Sequence, residues 1–179
     1  MFKKIVVTVF LLVSIAYGGS LAEDKRFGVE INPFYPLLLN NGDKFFSASF
    51  SYFNHASAVE IAIPISYQKE NNYKQKTVDV HYRKFVNDTL DGFYFSGFSR
   101  FAQLEGRHGN GYIKQTKVGL GVGLGFRFFA QNGFYWGGSL GLGSYITGEN
   151  DLFSHDLFSV NDDPQLLFDI ELLKFGYTF

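Results

Sequence analysis

Residues 116–129 constrain the fold more than any other stretch. Val118, Leu120, Val122, Leu124, Phe126 and Phe128 alternate there with Lys117, Gly119, Gly121, Gly123, Gly125 and Arg127. A period of two is the signature of a β-strand with one apolar face. The opposite face is mostly glycine, which fills a soluble surface poorly. Turned inward, the same glycines leave room for long side chains from neighbouring strands. The stretch therefore predicts a strand whose apolar face looks outward and whose glycine and charged face lines a narrow interior.

The same pattern recurs along the chain. Strands are predicted at residues 26–38, 45–53, 57–68, 76–86, 92–104, 116–129, 134–147 and 166–179. Turn signals lie between them: Asn40-Asn41-Gly42-Asp43, Asn54-His55, a polar loop 69–75, a turn 87–91, a loop 105–115 with Gly106, Gly109 and Gly111, Asn132-Gly133, and a long loop 148–164. Asn-Gly is a strong hairpin signal. Pro33 and Pro36 interrupt the far half of the first strand, which suits a strand end or a bulge. In the 92–104 strand, Phe93, Phe95 and Phe101 suggest one face, and Tyr94, Ser96, Phe98 and Arg100 the other. Aromatics on both faces leave its register the least defined.

Eight strands is an even number, and the connections alternate between tight and long. That arrangement, with strands of 9–14 residues, matches the tilted span and asymmetric loops of a transmembrane barrel. The predicted fold class is all-β: an eight-stranded antiparallel up-and-down transmembrane β-barrel. Backbone groups in lipid must be satisfied internally, and a closed sheet achieves this without an edge. The mean hydropathy near zero agrees, since apolar outward residues alternate with polar inward ones.

Met1–Ala22 reads as a secretory signal peptide. Lys3 and Lys4 form a basic start, residues 5–15 an apolar core, and Ser20-Leu21-Ala22 a small-x-small cleavage site. This leaves one barrel domain over residues 23–179. Among 179 residues there is no cysteine, so disulfides and thiolate chemistry are excluded. The net charge of −1 offers no basic field for nucleic acid.

The closing residues carry their own information. Phe175, Tyr177 and Phe179 share one face, with Lys174, Gly176 and Thr178 opposite. Upstream, Phe168, Ile170 and Leu172 form the apolar face, opposite Asp169 and Glu171. The parity changes between the two halves, which predicts a β-bulge near Leu172-Leu173. The signal peptide, the eight strands and the Leu-Lys-Phe-Gly-Tyr-Thr-Phe ending resemble small outer-membrane barrels of the OmpA/OmpX-like superfamily. The resemblance implies a location in the bacterial outer membrane. It implies that Phe175, Tyr177 and Phe179 serve as the signal read by the barrel assembly machinery. Outer-membrane lipids and lipopolysaccharide are the surroundings expected of such a barrel, and a monomer is expected.

The inward face collects charge. Glu30, Glu60, Asp79, Asp169 and Glu171 face Arg83, Arg100, Lys117, Arg127 and Lys174. An eight-stranded barrel is just wide enough for side chains to fill it, and buried charges must pair. A packed salt-bridge network that closes the lumen is the expected result; a narrow ion or small-solute pore through the same residues is the alternative. His81 is expected to make a structural hydrogen bond. His55-Ala56-Ser57 faintly resembles the His-x-Ser of barrel lipid A deacylases, but it falls at a turn on the periplasmic side, away from the outer leaflet. His108 and His155 lie on loops, too far apart in sequence to suggest a metal site. No cofactor, metal or catalytic residue is expected. The predicted function is non-enzymatic, a structural or surface-interaction role. An extracellular partner would meet loops 105–115 and 148–164, the latter through Phe153, Leu157 and Phe158.

Overall fold

The computed structural model describes residues 24–33, 44–70, 73–108, 111–148 and 165–179. It is a closed barrel of β1 (Phe27–Ile31), β2 (Lys44–Asn54), β3 (Val59–Glu70), β4 (Tyr73–Phe85), β5 (Gly92–His108), β6 (Gly111–Phe129), β7 (Phe134–Thr147) and β8 (Leu166–Thr178). Every strand pairs antiparallel with its sequence neighbours, and β1 closes the ring against β8 through Gly28↔Thr178 to Ile31↔Phe175. Beyond the seam, Phe27 N donates to Phe179 O at 3.1 Å and Phe179 N to Phe27 O at 2.9 Å. The terminal phenylalanine thus extends the closing ladder. Among the described residues no helix is long and apolar enough to cross a membrane.

The alternation read from residues 116–129 appears as an inside-out distribution. Val122 is 70% exposed and Leu124 54%, whereas Lys117 and Arg127 are buried. Ile61, Ile63 and Ile65 on β3 and Val78, Val80 and Tyr82 on β4 continue the outward apolar band. In β5, Phe93, Phe95 and Phe101 point outward, and Tyr94, Phe98 and Arg100 inward. The parity suggested by the sequence therefore holds through that strand.

Inward glycines and inward aromatics are complementary. A Cβ at Gly121 would meet the Phe98 ring and lie 2.8 Å from Leu142 O; one at Gly125 would meet the Tyr94 ring. At Gly176 the obstacle is Tyr135, and at Gly119 it is Leu167 Cδ1, at 2.5 Å. Narrow barrels leave no space to stack full side chains on every strand. β6 gives up its own side chains so that β5 can place rings across it.

Several boundaries differ from the sequence expectation. β1 ends at Ile31 rather than at 38, and residues 34–43, with Pro36, lie outside the described residues. The polar stretches 69–75 and 105–115 are not loops: all of their described residues belong to strands. Lys69 pairs with Lys74 and Glu70 with Tyr73, while Glu105 pairs with Lys114 and His108 with Gly111. Their polarity reports where the apolar band stops, not where the ladder stops. On their inward faces Tyr73, Gln75 and Gln115 are buried, and this packing carries the strands onward. The contact loop expected at 105–115 is thus a hairpin arm. The loop at 149–164, with Phe153, Leu157, Phe158 and its acids, lies outside the described residues, as does the signal segment.

The β8 bulge falls where the parity change placed it. Gly137 pairs with Lys174 and Ser139 with Glu171, so Leu172-Leu173 sits opposite Gly138. A Cβ on Gly138 would lie 2.7 Å from Leu172 O; the bulge requires that glycine. A second irregularity, unannounced by parity, shifts β7 against β6 between Val118 and Gly119.

Gly121→Val should overpack the β5–β6 interior, because Phe98 can move only into other side chains and Leu142 O cannot move at all. A loss of about 1–3 kcal/mol is expected, read as a lower urea midpoint for the detergent-folded barrel. Val122→Leu, one residue away on the outward face, should leave that midpoint unchanged.

Candidate functional site: the charged lumen

The interior is layered. Toward the short-turn end, Phe53, Ala58, Phe85, Leu90, Tyr94, Phe129 and Tyr135 form one buried cluster. Toward the other end, Tyr73, Phe98, Ala102, Leu104, Tyr145 and Leu167 form a second. All ten charged residues read as inward-facing are buried, and nine of them lie in the two ion-paired groups below. Phe53, Phe85 and Phe129 were missed from sequence, although each continues the parity of an inward neighbour: Ser51, Arg83 and Arg127.

The lower ionic group centres on Glu60. Its Oε1 accepts from Arg83 Nη1 at 2.8 Å and from Ser51 Oγ at 2.6 Å, and Oε2 pairs with Arg127 Nη1. Glu30 Oε2 accepts from Arg127 Nη2 at 2.6 Å, while its Oε1 lies 3.6 Å from Arg83 and 3.5 Å from Lys174. Lys174 pairs with Glu171, which lies 4.0 Å from Arg83 Nη2 and accepts from Ser139 Oγ at 3.4 Å. Three carboxylates thus meet three cations, and the group is neutral. β1, β3, β4, β6 and β8 each contribute a charge, so the network spans the lumen. Aromatic faces complete it: Arg127 lies 4.5 Å from the Tyr135 ring centroid and 5.8 Å from that of Phe53, and Arg83 lies 5.5 Å from that of Tyr94. A guanidinium over a ring gains electrostatic attraction where water is excluded.

The upper group turns on Arg100. Its Nε and Nη2 grip Asp79 at 3.0 and 2.7 Å, Nη2 also reaches Asp169 at 2.7 Å, and Nη1 donates to Phe168 O at 3.0 Å. This is the fork geometry for which arginine suits carboxylates. His81 stacks on Phe98 with ring centroids 5.1 Å apart at 15°, and its Nε2 lies 3.7 Å from Asp79 Oδ2. That separation exceeds a hydrogen bond, so the bond expected of His81 is replaced by ring stacking. Asp79, His81 and Asp169 bring ligand-type atoms within 4.8 Å of one another. This grouping joins β4 to β8 and has no sequence signal. Arg100 already holds both of its carboxylates. Lys117 lies 5.6 Å from the Tyr145 ring centroid.

Above Arg100 a cavity of about 60 Å³ opens between β2, β3, β4 and β8, lined by Ser47, Ser66, Thr77, Asp79, Arg100 and Asp169 among others. That volume holds only a few water molecules.

Remaining candidates are placed as follows. His55 Nε2 donates to Lys25 O at 2.8 Å within the β2–β3 turn. Ser57 donates its N–H to Asn54 Oδ1 at 3.3 Å in the same turn. Phe175, Tyr177 and Phe179 lie on the outer face of the closing seam, where Tyr177 packs edge-on against Phe134 at 5.1 Å.

Removing one member of the lower group should strand its partners. Glu60→Ala leaves Arg83 and Arg127 short of a carboxylate in a dry interior, at a cost of about 3–5 kcal/mol. Equilibrium urea unfolding in detergent checks this. Glu60→Ala combined with Arg127→Met should recover part of the loss, because the surviving group is again balanced. Glu105→Gln, whose 3.0 Å pair with Lys74 faces solvent, should leave the midpoint unchanged.

No family model matches the chain, and no curated protein matches it. Among solved structures, the N-terminal β-barrel domain of Pseudomonas aeruginosa OprF is similar, at 15% identity and a TM-score of 0.49, covering 87% of this chain and all of that one. The eight-stranded closure itself rests on this chain's own strand pairing.

Proposed function

We propose that the protein is a non-enzymatic barrel of the bacterial outer membrane, closed to solutes, with a structural or surface-contact role. One observation carries the reading: the barrel is apolar outside and ionic inside. A continuous outward band of Ile, Val, Leu and Phe far exceeds what a monomer shows to water. Lipid is the solvent that fits it. The aromatic group of Phe126, Phe128 and Trp136, with centroids 5.0–5.7 Å apart, lies at the short-turn end of β6 and β7. It suits the interfacial girdle of such barrels. Short turns at 55–58, 86–91 and 130–133 support a periplasmic position for that end.

The lumen supports a plug rather than a channel. The neutral lower group reaches from wall to wall, and an aromatic cluster lies on each side of the charged layers. Conduction would require breaking paired, desolvated ions. Contact with the exterior then falls to the long-loop end, where the β5–β6 arm projects.

Two measurements test the proposal together. The chain should migrate in SDS as a compact band that shifts only after boiling, and brominated lipid should quench Trp136, its single tryptophan. In planar bilayers the inserted protein should give no discrete conductance steps. Steps in the parent protein would replace the plug with a pore, and an unquenched Trp136 would remove the membrane.

A further inference from the structure

The outer wall carries a lysine-rich row whose charge the described residues do not balance. In register across neighbouring strands, Lys44 stands beside Lys69, Lys69 beside Lys74, Lys74 beside Glu105 and Glu105 beside Lys114. All five share the outward parity of the apolar residues further down their strands, Ile65 and Val78 among them. Lys76 adds a further ammonium one outward position below Lys74. Lys44, Lys76 and Lys114 are exposed, and Lys69 and Lys74 half-buried. Within the row Lys74 pairs with Glu105 at 3.0 Å. Four ammonium groups against one carboxylate leave the row three charges positive.

Like charges directly opposite on paired strands destabilise a sheet. Three consecutive strands nonetheless present lysine at one level. Strands lie about 4.8 Å apart, so neighbouring ammonium groups can close on a shared anion. The row lies at the long-loop end, immediately beyond the apolar band, where a barrel leaves acyl chains and meets headgroups.

We infer that this row is a binding site for the phosphates of a bisphosphorylated glycolipid of the lipid A type, with its acyl chains against the apolar band below. The inference rests on the membrane reading above. Lysines offer strong point-charge contacts to phosphate, and the uncompensated charge of the row matches two phosphates better than one. The carboxylate of Glu105 keeps Lys74 extended along the wall. The ligand is a lipid rather than free phosphate because the site is continuous with a surface that must already be covered by acyl chains.

The test uses the full chain, refolded in detergent and titrated with bisphosphorylated lipid A, with enzymatically dephosphorylated lipid A, with phosphatidylglycerol and with inorganic phosphate, each read by native mass spectrometry. Bisphosphorylated lipid A should bind best, and added salt should weaken it. Combining Lys44→Gln, Lys69→Gln, Lys74→Gln and Lys114→Gln should weaken lipid A binding by at least about tenfold, whereas the four corresponding arginine substitutions should retain it. Lys84→Gln, at the short-turn end, should change nothing. Heat-modifiable migration and Trp136 quenching are measured first for each variant. A parent that fails them brings down the membrane reading and this site with it. A folded glutamine variant that binds lipid A as the parent does, or a parent that binds the dephosphorylated lipid or inorganic phosphate equally well, overturns the site alone.

Discussion

The interior of this barrel depends on the pairing of Glu60 with two arginines. Eight strands enclose too little volume for water to solvate an ion, so each buried charge must find its counter-charge among the strands. Glu60 meets Arg83 across the β3–β4 ladder and Arg127 across the lumen. Glu30 repeats the bridge from β1. The two carboxylates tie together strands that share no backbone hydrogen bonds. Strand pairing closes the wall; ion pairing decides which residues can meet inside it.

That constraint explains where the glycines go. Arginine and tyrosine are long, and a narrow cylinder cannot hold them on every strand. β6 and β7 supply the space: Gly119, Gly121, Gly123 and Gly125 on one, Gly137, Gly141 and Gly143 on the other, all inward by parity. The rings of Tyr94 and Phe98 cross into that space from β5. Tyr94 in turn presents its face to Arg83. The glycines of one side of the barrel thus set the position of the arginines of the other.

Much of this was legible in the sequence, for a physical reason. Period-two alternation states which residues share a face, and it held for all ten inward charges, for both faces of β5, and for the aromatics that follow Ser51, Arg83 and Arg127. Two features escaped. Strand ends at 69–75 and 105–115 are not legible in hydropathy, because a strand that leaves an apolar solvent keeps its hydrogen bonds while its outward residues turn polar. Hydropathy locates the edge of the band; only pairing locates the edge of the sheet. The meeting of Asp79, His81 and Asp169 also escaped, since parity assigns each to the lumen without fixing its height there. Height depends on the stagger of the strands as they close, which no single strand encodes.

The bulge in β8 shows how register and electrostatics are joined. Glu171 and Lys174 are three residues apart, a spacing that places side chains on opposite faces of a regular strand. With Leu172-Leu173 opposite Gly138, both point inward and pair. Without the extra residue, one half of β8 would carry its charges outward into the apolar band, or Phe175, Tyr177 and Phe179 would turn into the lumen. Either outcome costs far more than a local kink, because it buries unpaired charge or removes the aromatics from the seam. The bulge is therefore the one register in which β8 satisfies the outer solvent, the inner ion network and the closing ladder with β1 at once.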